Sequence, residues 1–351
     1  MFVRCLAGPA SERQRGFKDG DMNVLVTGGA GYVGSVCAQQ LLAAGHKVAV
    51  IDDLSTGHRQ AVPRGAVFVQ ADLADTRTIG QLVKDTGVAA VMHFAAAALV
   101  EKSMTDPRYY FEINVQKALQ FLHLLLELEV NDFIFSSTAA VYGEPVSTPI
   151  TEDHPLRPIN AYGESKLMFE NILHWYHRAY GLRYVALRYF NAAGADGELG
   201  EDHQPETHLI PRLLNAALDQ AFEFAIYGDD YPTSDGTCIR DYVHVLDIAE
   251  AHVLALNALP VVKGAVYNVG HSEGHSVRKV LDAVAEVTGR HFPVRTAPRR
   301  VGDPAVLVAS SEKIARELCW HPRHSDLKNI VRSAWAWKQQ HASGYGPPAV
   351  Q

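Results

Sequence analysis

Short apolar runs, many of them β-branched or alternating, recur along roughly the first half of the chain, and several are separated by segments whose apolar residues recur at helical spacing. Residues 23–27 are apolar and lead into Thr27-Gly28-Gly29-Ala30-Gly31-Tyr32-Val33-Gly34; a helical pattern follows over 32–44, with Gly45 placed to end it. Residues 47–52 predict a second strand that stops at two carboxylates, Asp52 and Asp53. Further strands are predicted at 66–70, 88–94, 132–136 and 183–189, with helices clearest at 106–128 and 161–180. Strands alternating with helices imply βαβ units, and so an α/β fold built on a doubly wound parallel sheet.

After Tyr189 the rhythm changes. Residues 191–207 are rich in Gly, Ala, Glu and Asp and predict a long loop, as does 227–240 with Gly228, Pro232 and Gly236. Long loops inside a compact enzyme are usually functional. Helices are expected at 208–219, 245–256 and 276–288, and one more buried strand at 266–269. The division expected is a nucleotide-binding domain over 22–190 and a smaller C-terminal substrate lobe over 191–351, with some segments returning to the first domain. Residues 1–21 are polar, with an apolar piece broken by Arg4, and Met22 stands directly before the first strand. This segment is expected to be a disordered tail rather than a signal peptide.

With 47% hydrophobic and 20% charged residues in 351, the composition is ordinary for a globular chain. The formal net charge of −7 argues against general binding to nucleic acid or membrane surfaces, although the basic residues between Arg295 and Arg300 suit a phosphate. The apolar stretches 88–100 and 119–126 are too short or too interrupted to span a bilayer. Cys5, Cys37, Cys238 and Cys319 lack metal-ligand spacing and read as free thiols. No metal site is expected, and the residence expected is cytoplasmic.

Candidate chemistry begins at the glycines. Gly28, Gly31 and Gly34 form Gly-x-x-Gly-x-x-Gly between a strand and a helix, a Rossmann-type fingerprint. The first permits the tight turn, the second lets the backbone approach a pyrophosphate, and the third allows close packing of the helix, whose N-terminal amides hold the phosphates. Asp52, 24 residues after Gly28, stands where a carboxylate bonds the adenine ribose. It repels a 2′-phosphate, and no arginine stands between Asp52 and Arg59 to reverse that, so NAD is favoured over NADP. Asp72 ends the third strand and fits the adenine pocket.

Tyr162 and Lys166 are spaced i,i+4 in Ala-Tyr-Gly-Glu-Ser-Lys, which puts phenol and ammonium on one helix face, downstream of Ser136-Ser137-Thr138. A tyrosine of ordinary pKa, about 10, is a poor base at neutral pH; lowering it to near 7 takes roughly 4 kcal/mol. One cation about 4 Å away supplies at most about 4 kcal/mol at an effective dielectric of 20. A lysine together with an oxidised nicotinamide is therefore expected to suffice.

On these motifs the chain resembles the extended short-chain dehydrogenase/reductase superfamily and, within it, the UDP-glucose 4-epimerase family. The likeness runs from Asn23 to about Trp337. Besides the glycine turn and the Tyr162–Lys166 pair it rests on Phe135-Ser136-Ser137-Thr138-Ala139-Ala140-Val141-Tyr142-Gly143, on Leu187-Arg188-Tyr189-Phe190-Asn191 and on Asp229-Asp230-Tyr231-Pro232-Thr233. Arg240-Asp241-Tyr242-Val243-His244-Val245 and Arg299-Arg300-Val301-Gly302-Asp303 complete it.

The resemblance implies roles. Tyr162 is the base for the sugar O4 proton, Thr138 bonds O4 and relays that proton, and Lys166 holds the nicotinamide ribose. Tyr32 and Val33 flank the pyrophosphate, while Asp53, Leu54, Ser55, Thr56 and Gly57 line the adenosine end with Leu73. Phe94, Ala95, Ala96, Asn114, Ser136 and Phe190 match further cofactor contacts. The UDP-sugar is implied to meet Asn191, His208, Leu209, Ala225, Ile226 and Tyr227. It also meets Arg240, Tyr242 and Arg300, with Asp303 on the uridine ribose and Leu307 at the sugar pocket. A homodimer through the helices around 106–128 and 161–180 is implied in the same way.

The implied reaction interconverts UDP-glucose and UDP-galactose: oxidation at C4 with bound NAD to a 4-keto sugar, rotation, and re-reduction on the opposite face. Thr138 stands where Ser is frequent, Ala98 where some members carry a lysine, and Asp53 where Asn is common. A 4,6-dehydratase needs Asp-Glu directly after the active-site Thr, and Ala139-Ala140 stand there instead. Also in competition are a UDP-glucuronate epimerase or decarboxylase and a catalytically silent NAD-binding sensor.

Overall fold

The computed structural model describes residues 22–219, 222–300 and 303–346; the expected tail, 1–21, lies outside the described residues. Strands β1 (Asn23–Thr27), β2 (Lys47–Asp52), β3 (Val67–Gln70), β4 (Ala90–His93), β5 (Asp132–Thr138) and β6 (Arg183–Tyr189) follow the predicted rhythm. Between them lie α1 (Tyr32–Ala43), α2 (Thr76–Thr86), the short α3 (Val100–Thr105) and α4 (Pro107–Phe111), α5 (Ala118–Glu127) and α6 (Ala161–Tyr180). The single helix expected over 106–128 is broken: between α4 and α5, Glu112–Lys117 form a π-helical segment. Such segments frequently mark functional sites, and this one carries Asn114.

Past Tyr189 come β7 (Asn191–Ala193), α7 (Leu209–Leu218), β8 (Phe224–Tyr227), β9 (Ile239–His244) and α8 (Val245–Val262). They are followed by β10 (Gly264–Val269), β11 (Gly274–Ser276), α9 (Val277–Thr288), β12 (Val294–Ala297), β13 (Val306–Leu307), α10 (Glu312–Leu318) and α11 (Leu327–Gln340). The loops expected at 191–207 and 227–240 thus contain or border short strands.

The large sheet has seven strands in the order β10-β6-β5-β4-β1-β2-β3, and its pairs are parallel. Alternation along β1 explains the two layers. Val24 and Val26 pack with Ala38, Leu41, Ile248 and Ala255 on one side, and Leu25 packs with Phe121, Leu125, Phe169 and Leu173 on the other. α8, with mean hydropathy 1.6, is long and apolar enough for a membrane span by composition, a feature not singled out from the sequence. Its apolarity is accounted for by packing: Ile248, Ala251, Ala255 and Leu259 are fully buried in the core.

Chain order reverses between β1 and β4, which leaves a crevice at their carboxyl ends, the usual binding place in such sheets. A second sheet is formed by β11-β9-β13 with β7 also paired to β9, and β12 pairs with β8.

Candidate active site

The crevice is shaped by glycines. Gly28 has φ +70, and a Cβ there would lie 2.5 Å from the amide nitrogen of Ala95, so only glycine fits between β1 and the turn after β4. At Gly34 a Cβ would meet the Gly28 carbonyl at 2.2 Å, which sets the close approach of α1. Gly31 is the N-cap of α1; no side chain caps the helix and no acidic residue sits in its first turn. Its first amides therefore face the crevice, ready for an anion.

Asp52 ends β2 with its carboxylate buried, Oδ2 accepting from the Ala30 amide at 3.0 Å and Oδ1 from the Leu54 amide at 2.9 Å. Burial pushes its pKa up while these two amides pull it down. The carboxylate thus pins the glycine turn to the loop after β2, and each oxygen keeps a lone pair for another donor. Asp53 accepts from the Ser55 amide and hydroxyl at 2.9 and 2.6 Å, which shapes the turn leading to Thr56 and Gly57. Asp72 is ion-paired to Lys117 at 2.5 Å, and Leu73 beside it is buried in the core.

Phe94 and Ala95 both donate their amides to the Thr27 carbonyl, at 2.9 and 3.1 Å, and the Phe94 ring lies 4.7 Å from His252. Asn114 is 3% exposed. Its Oδ1 accepts from the Ala97 amide at 2.8 Å, and its Nδ2 donates to the Ala97 carbonyl at 3.0 Å and to Ser165 Oγ at 2.9 Å. Both amide hydrogens are therefore engaged, and the π segment ties the loop after β4, through Ala97 next to Ala96, to α6.

α6 begins at an Asn160 cap and carries Tyr162 and Lys166. Tyr162 is half-buried; burial holds its phenol above the usual range, and the neighbouring Thr138 hydroxyl bond pulls the other way. Lys166 is 2% exposed, donates from Nζ to the Ser136 carbonyl at 2.9 Å and lies 4.9 Å over the Phe135 ring. Burial pulls its pKa down to about 7, partly offset by Glu170 one turn along. The ammonium is thus turned to the strand, and the lowering expected of Lys166 together with an oxidised nicotinamide has to overcome the burial that raises the phenol.

Beneath this group lies a buried pair that sequence reasoning missed. Arg188 donates to Glu170 Oε2 at 2.6 Å and Oε1 at 3.0 Å, and Ser137 donates to the same Oε1. It fastens α6 to β5 and β6. Helical spacing placed Glu170 one turn beyond Lys166, but no sequence rule named its partner.

The second sheet gathers residues scattered over a hundred positions. Asn191 on β7 pairs in register with Tyr242 on β9, and Leu307 on β13 with Arg240. Arg240 is buried; it donates to Asp303, to the Pro304 carbonyl at 2.7 Å and to the Ile239 carbonyl at 2.7 Å. Tyr227 ends β8, where Ala225 and Ile226 are buried, and the Arg300 guanidinium stacks 4.3 Å over its ring. Leu307 and Phe190 pack on Ala139, Val141, Tyr142 and Ile150, the residues after Thr138. Bonds from the Ile150 amide to the Val308 carbonyl (2.8 Å) and from the Ser310 amide to the Ile150 carbonyl (2.7 Å) lock the two regions together.

His208 precedes Leu209 at the start of α7 but faces acids, with Nδ1 at 2.7 Å from Glu201 and 3.2 Å from Glu206; His203 joins the group at 3.3 Å from Glu201. Burial works against protonation, yet Glu201 and Glu206 raise His208 to about 10 and His203 to about 9.

The sequence pattern of the NAD dependent epimerase/dehydratase family matches residues 24–270. The UDP-glucose 4-epimerase of Lacticaseibacillus casei is 48% identical over 328 residues, 93% of this chain and 99% of that protein. The chain belongs to the NAD dependent epimerase/dehydratase family, with its UDP-glucose 4-epimerases. Two crystal structures share the fold. The Brucella ovis UDP-glucose 4-epimerase in complex with NAD has a TM-score of 0.86 at 46% identity, covering 90% of this chain and 97% of that one. The Bifidobacterium longum enzyme in complex with NAD+ and UDP has a TM-score of 0.88 at 34% identity, covering 92% and 100%.

NAD fits this epimerase-family crevice on the chain's own terms: uncapped amides at α1, a turn whose glycines leave the backbone bare, and a carboxylate closing β2. Ala139 and Ala140 form a short turn after Thr138 with no acid, so a dehydratase would lack its acid and base here.

Proposed function

We propose that this chain interconverts UDP-glucose and UDP-galactose, with Tyr162, Thr138 and Lys166 as the groups that act on the sugar and cofactor. The observation that carries the reading is the juxtaposition of Tyr162 and Thr138, near enough for the Thr138 hydroxyl to pull the phenol's pKa down, with Lys166 one turn further along the same helix at the carboxyl end of β5.

Tyr162 takes the O4 proton and later returns one, and Thr138, bonded to Tyr162 on one side, bonds O4 on the other and passes the proton along. When bound, NAD supplies the hydride acceptor and donor for C4 and a positive charge beside the Tyr162 phenol. Lys166 holds the nicotinamide ribose from the floor of the site, its ammonium orientation fixed by Ser136 and Phe135. Asp52 bonds the adenine ribose with its remaining lone pairs, and the α1 amides take the pyrophosphate. Because the hydride leaves and returns within one turnover, the oxidised cofactor is regenerated without an outside reductant.

The substrate half is read from the second sheet. Arg240 and Arg300 suit a diphosphate because their planar forks donate charge-assisted bonds in pairs. Asp303, Asn191, Tyr227, His208 and Leu209 frame the uridine end, with Ala225, Ile226 and Tyr242 as walls. A firm hold on UDP leaves the hexose free to rotate and present either face at C4.

Two units divide this work: residues 22–190 hold NAD and 191–351 hold mainly the UDP-sugar, with β10 returning to the large sheet. The assembly is a cytoplasmic homodimer through α6 and the α4–α5 region. On α6, Trp175 and Tyr180 are 61% and 63% exposed and Met168 42%, apolar surface that supports this interface. Offering UDP-galactose, UDP-N-acetylgalactosamine and a UDP-uronic acid to the purified protein tests the reading. Turnover confined to the uronic acid would replace it.

A further inference from the structure

The turn after β10 and the start of β11 carry His271-Ser272-Glu273-Gly274-His275, which no step above uses. One ligand atom from each of His271, Glu273 and His275 lies within 4.8 Å of the other two. In both imidazoles a buried nitrogen, His271 Nδ1 and His275 Nε2, has no hydrogen-bond partner, and His275 is only 8% exposed. Unpaired buried nitrogens cost stability unless something bonds them. Cysteine spacing points to no metal in this chain, and a His-x-Glu-x-His without cysteine escapes that test.

The turn is held rigidly. The buried Asp241 carboxylate accepts the His271 amide at 2.7 Å, the Ser272 amide at 2.9 Å and the Ala309 amide at 3.1 Å. Ser272 has φ 63, a left-handed conformation that puts a sharp bend between the ligand-bearing residues. A Cβ at Gly274 would lie 2.5 Å from Ile239, so β11 is packed hard against β9. A preformed frame with few ways to relax is what a metal site needs.

We propose that His271, Glu273 and His275 bind one divalent transition-metal ion of the zinc class. Two imidazoles and one carboxylate form the N,O set that such ions favour, with a fourth position left for water. Donors about 2.0–2.1 Å from a tetrahedral ion stand about 3.3 Å apart, so a small rotation of the exposed Glu273 closes the set. Lys279 opposes a cation here, while Glu273 and Asp326 favour one. The site stands where β10 of the large sheet passes to β11, whose His275 is in register with Arg240. A bound ion therefore fixes the turn after β10 against the start of β11, and its effect is on stability rather than on the chemistry at C4.

The second His/Glu group, Glu201-His203-Glu206-His208, is a weaker candidate, since its imidazoles are already ion-paired and His208 belongs to the proposed substrate half.

The test uses full-length protein without a histidine tag, stripped by a chelator and titrated with Co²⁺, then with Zn²⁺ as competitor. One equivalent of Co²⁺ with a four- or five-coordinate visible spectrum is expected, displaced by Zn²⁺, with a higher melting temperature for the Zn²⁺ form. His271→Ala and Glu273→Gln weaken binding about 10- to 100-fold or more and abolish the Zn²⁺-dependent melting shift; His203→Ala leaves both unchanged. Should His275→Ala fail to fold, Glu273→Gln, altering an exposed side chain, still decides. Absence of stoichiometric binding in the wild type overturns the proposal. So does binding that survives Glu273→Gln and His271→Ala, or that only His203→Ala removes. Epimerase turnover measured in parallel on the same samples keeps this outcome separate from that of the proposed reaction.

Discussion

Arg240 and Asp303, 63 positions apart in sequence, meet as an ion pair beside the Pro304 carbonyl, so one guanidinium joins β9 to the segment that leads into β13. That pairing holds Arg240 in a fixed orientation, which suits the diphosphate-binding role proposed for it.

Arg240→Lys keeps the charge but loses the fork. A lysine cannot hold Asp303, the two carbonyls and a phosphate oxygen at once. KM for the UDP-sugar is expected to rise about tenfold or more, in line with one charge-assisted hydrogen bond, with a smaller change in kcat. Steady-state kinetics check this, and an unchanged KM would place the diphosphate elsewhere.

Asp52→Ala is expected to do two things. NAD retention falls because the ribose acceptor is gone, and the melting temperature falls because the Ala30 and Leu54 amides lose their acceptor, at about 1–3 kcal/mol for each donor left unsatisfied. Asp52→Asn keeps one acceptor oxygen but turns an NH2 donor against the other backbone amide, so it recovers only part of the stability, without recovering NAD. Cofactor content of the purified variants, read beside thermal melts, separates the effects; an Ala variant that keeps its NAD would remove Asp52 from the cofactor site.

Leu307→Ser tests the sugar pocket. Leu307 is in register with Arg240 and packs with Phe190 on the segment after Thr138, so it reaches from the substrate half to the catalytic segment. Swinging it off its rotamer costs about 1 kcal/mol. The wild type is expected to prefer UDP-glucose and UDP-galactose over their N-acetyl forms, and the Ser variant to gain on UDP-N-acetylglucosamine. Equal wild-type turnover of both classes, or a variant whose selectivity does not move, contradicts the gate.

The His203–His208 group makes stability depend on pH. Glu201 and Glu206 raise both imidazoles in the folded state, to about 9 and about 10, above an unfolded value near 6.5. Their contribution is therefore full below about pH 6.5 and lost as pH rises through 9 to 10. His208→Gln should melt below the wild type at about pH 6, with the gap closing by about pH 10. Because 46% of the His208 side chain is exposed, screening keeps the gap small. A gap that does not change with pH would mean that the imidazoles are held neutral.

Much of this was legible in the sequence, and the reason lies in length and burial. β1, β2 and β6 match their predicted bounds because each is a run of five to seven residues, mostly buried, with a clear turn signal. β7, β11 and β13 are two or three residues long and carry no periodicity; long-range pairing with β9 makes them strands. The π segment at Asn114 escaped because its composition is that of an ordinary helix. The lysine orientation escaped for another reason: spacing places Lys166 on a face, whereas the Ser136 carbonyl decides where its ammonium points.

The most direct test is a paired assay of wild type and Tyr162→Phe with UDP-galactose, no cofactor beyond the NAD each protein carries, and UDP-glucose as the measured product. The wild type is expected to convert UDP-galactose toward an equilibrium mixture with no net change in NAD. Tyr162→Phe should fold and keep its NAD yet lose about 10²- to 10⁴-fold in rate. A wild type that forms no UDP-glucose, or a Phe variant that turns over nearly as fast, would contradict the assignment of C4 epimerisation to this site.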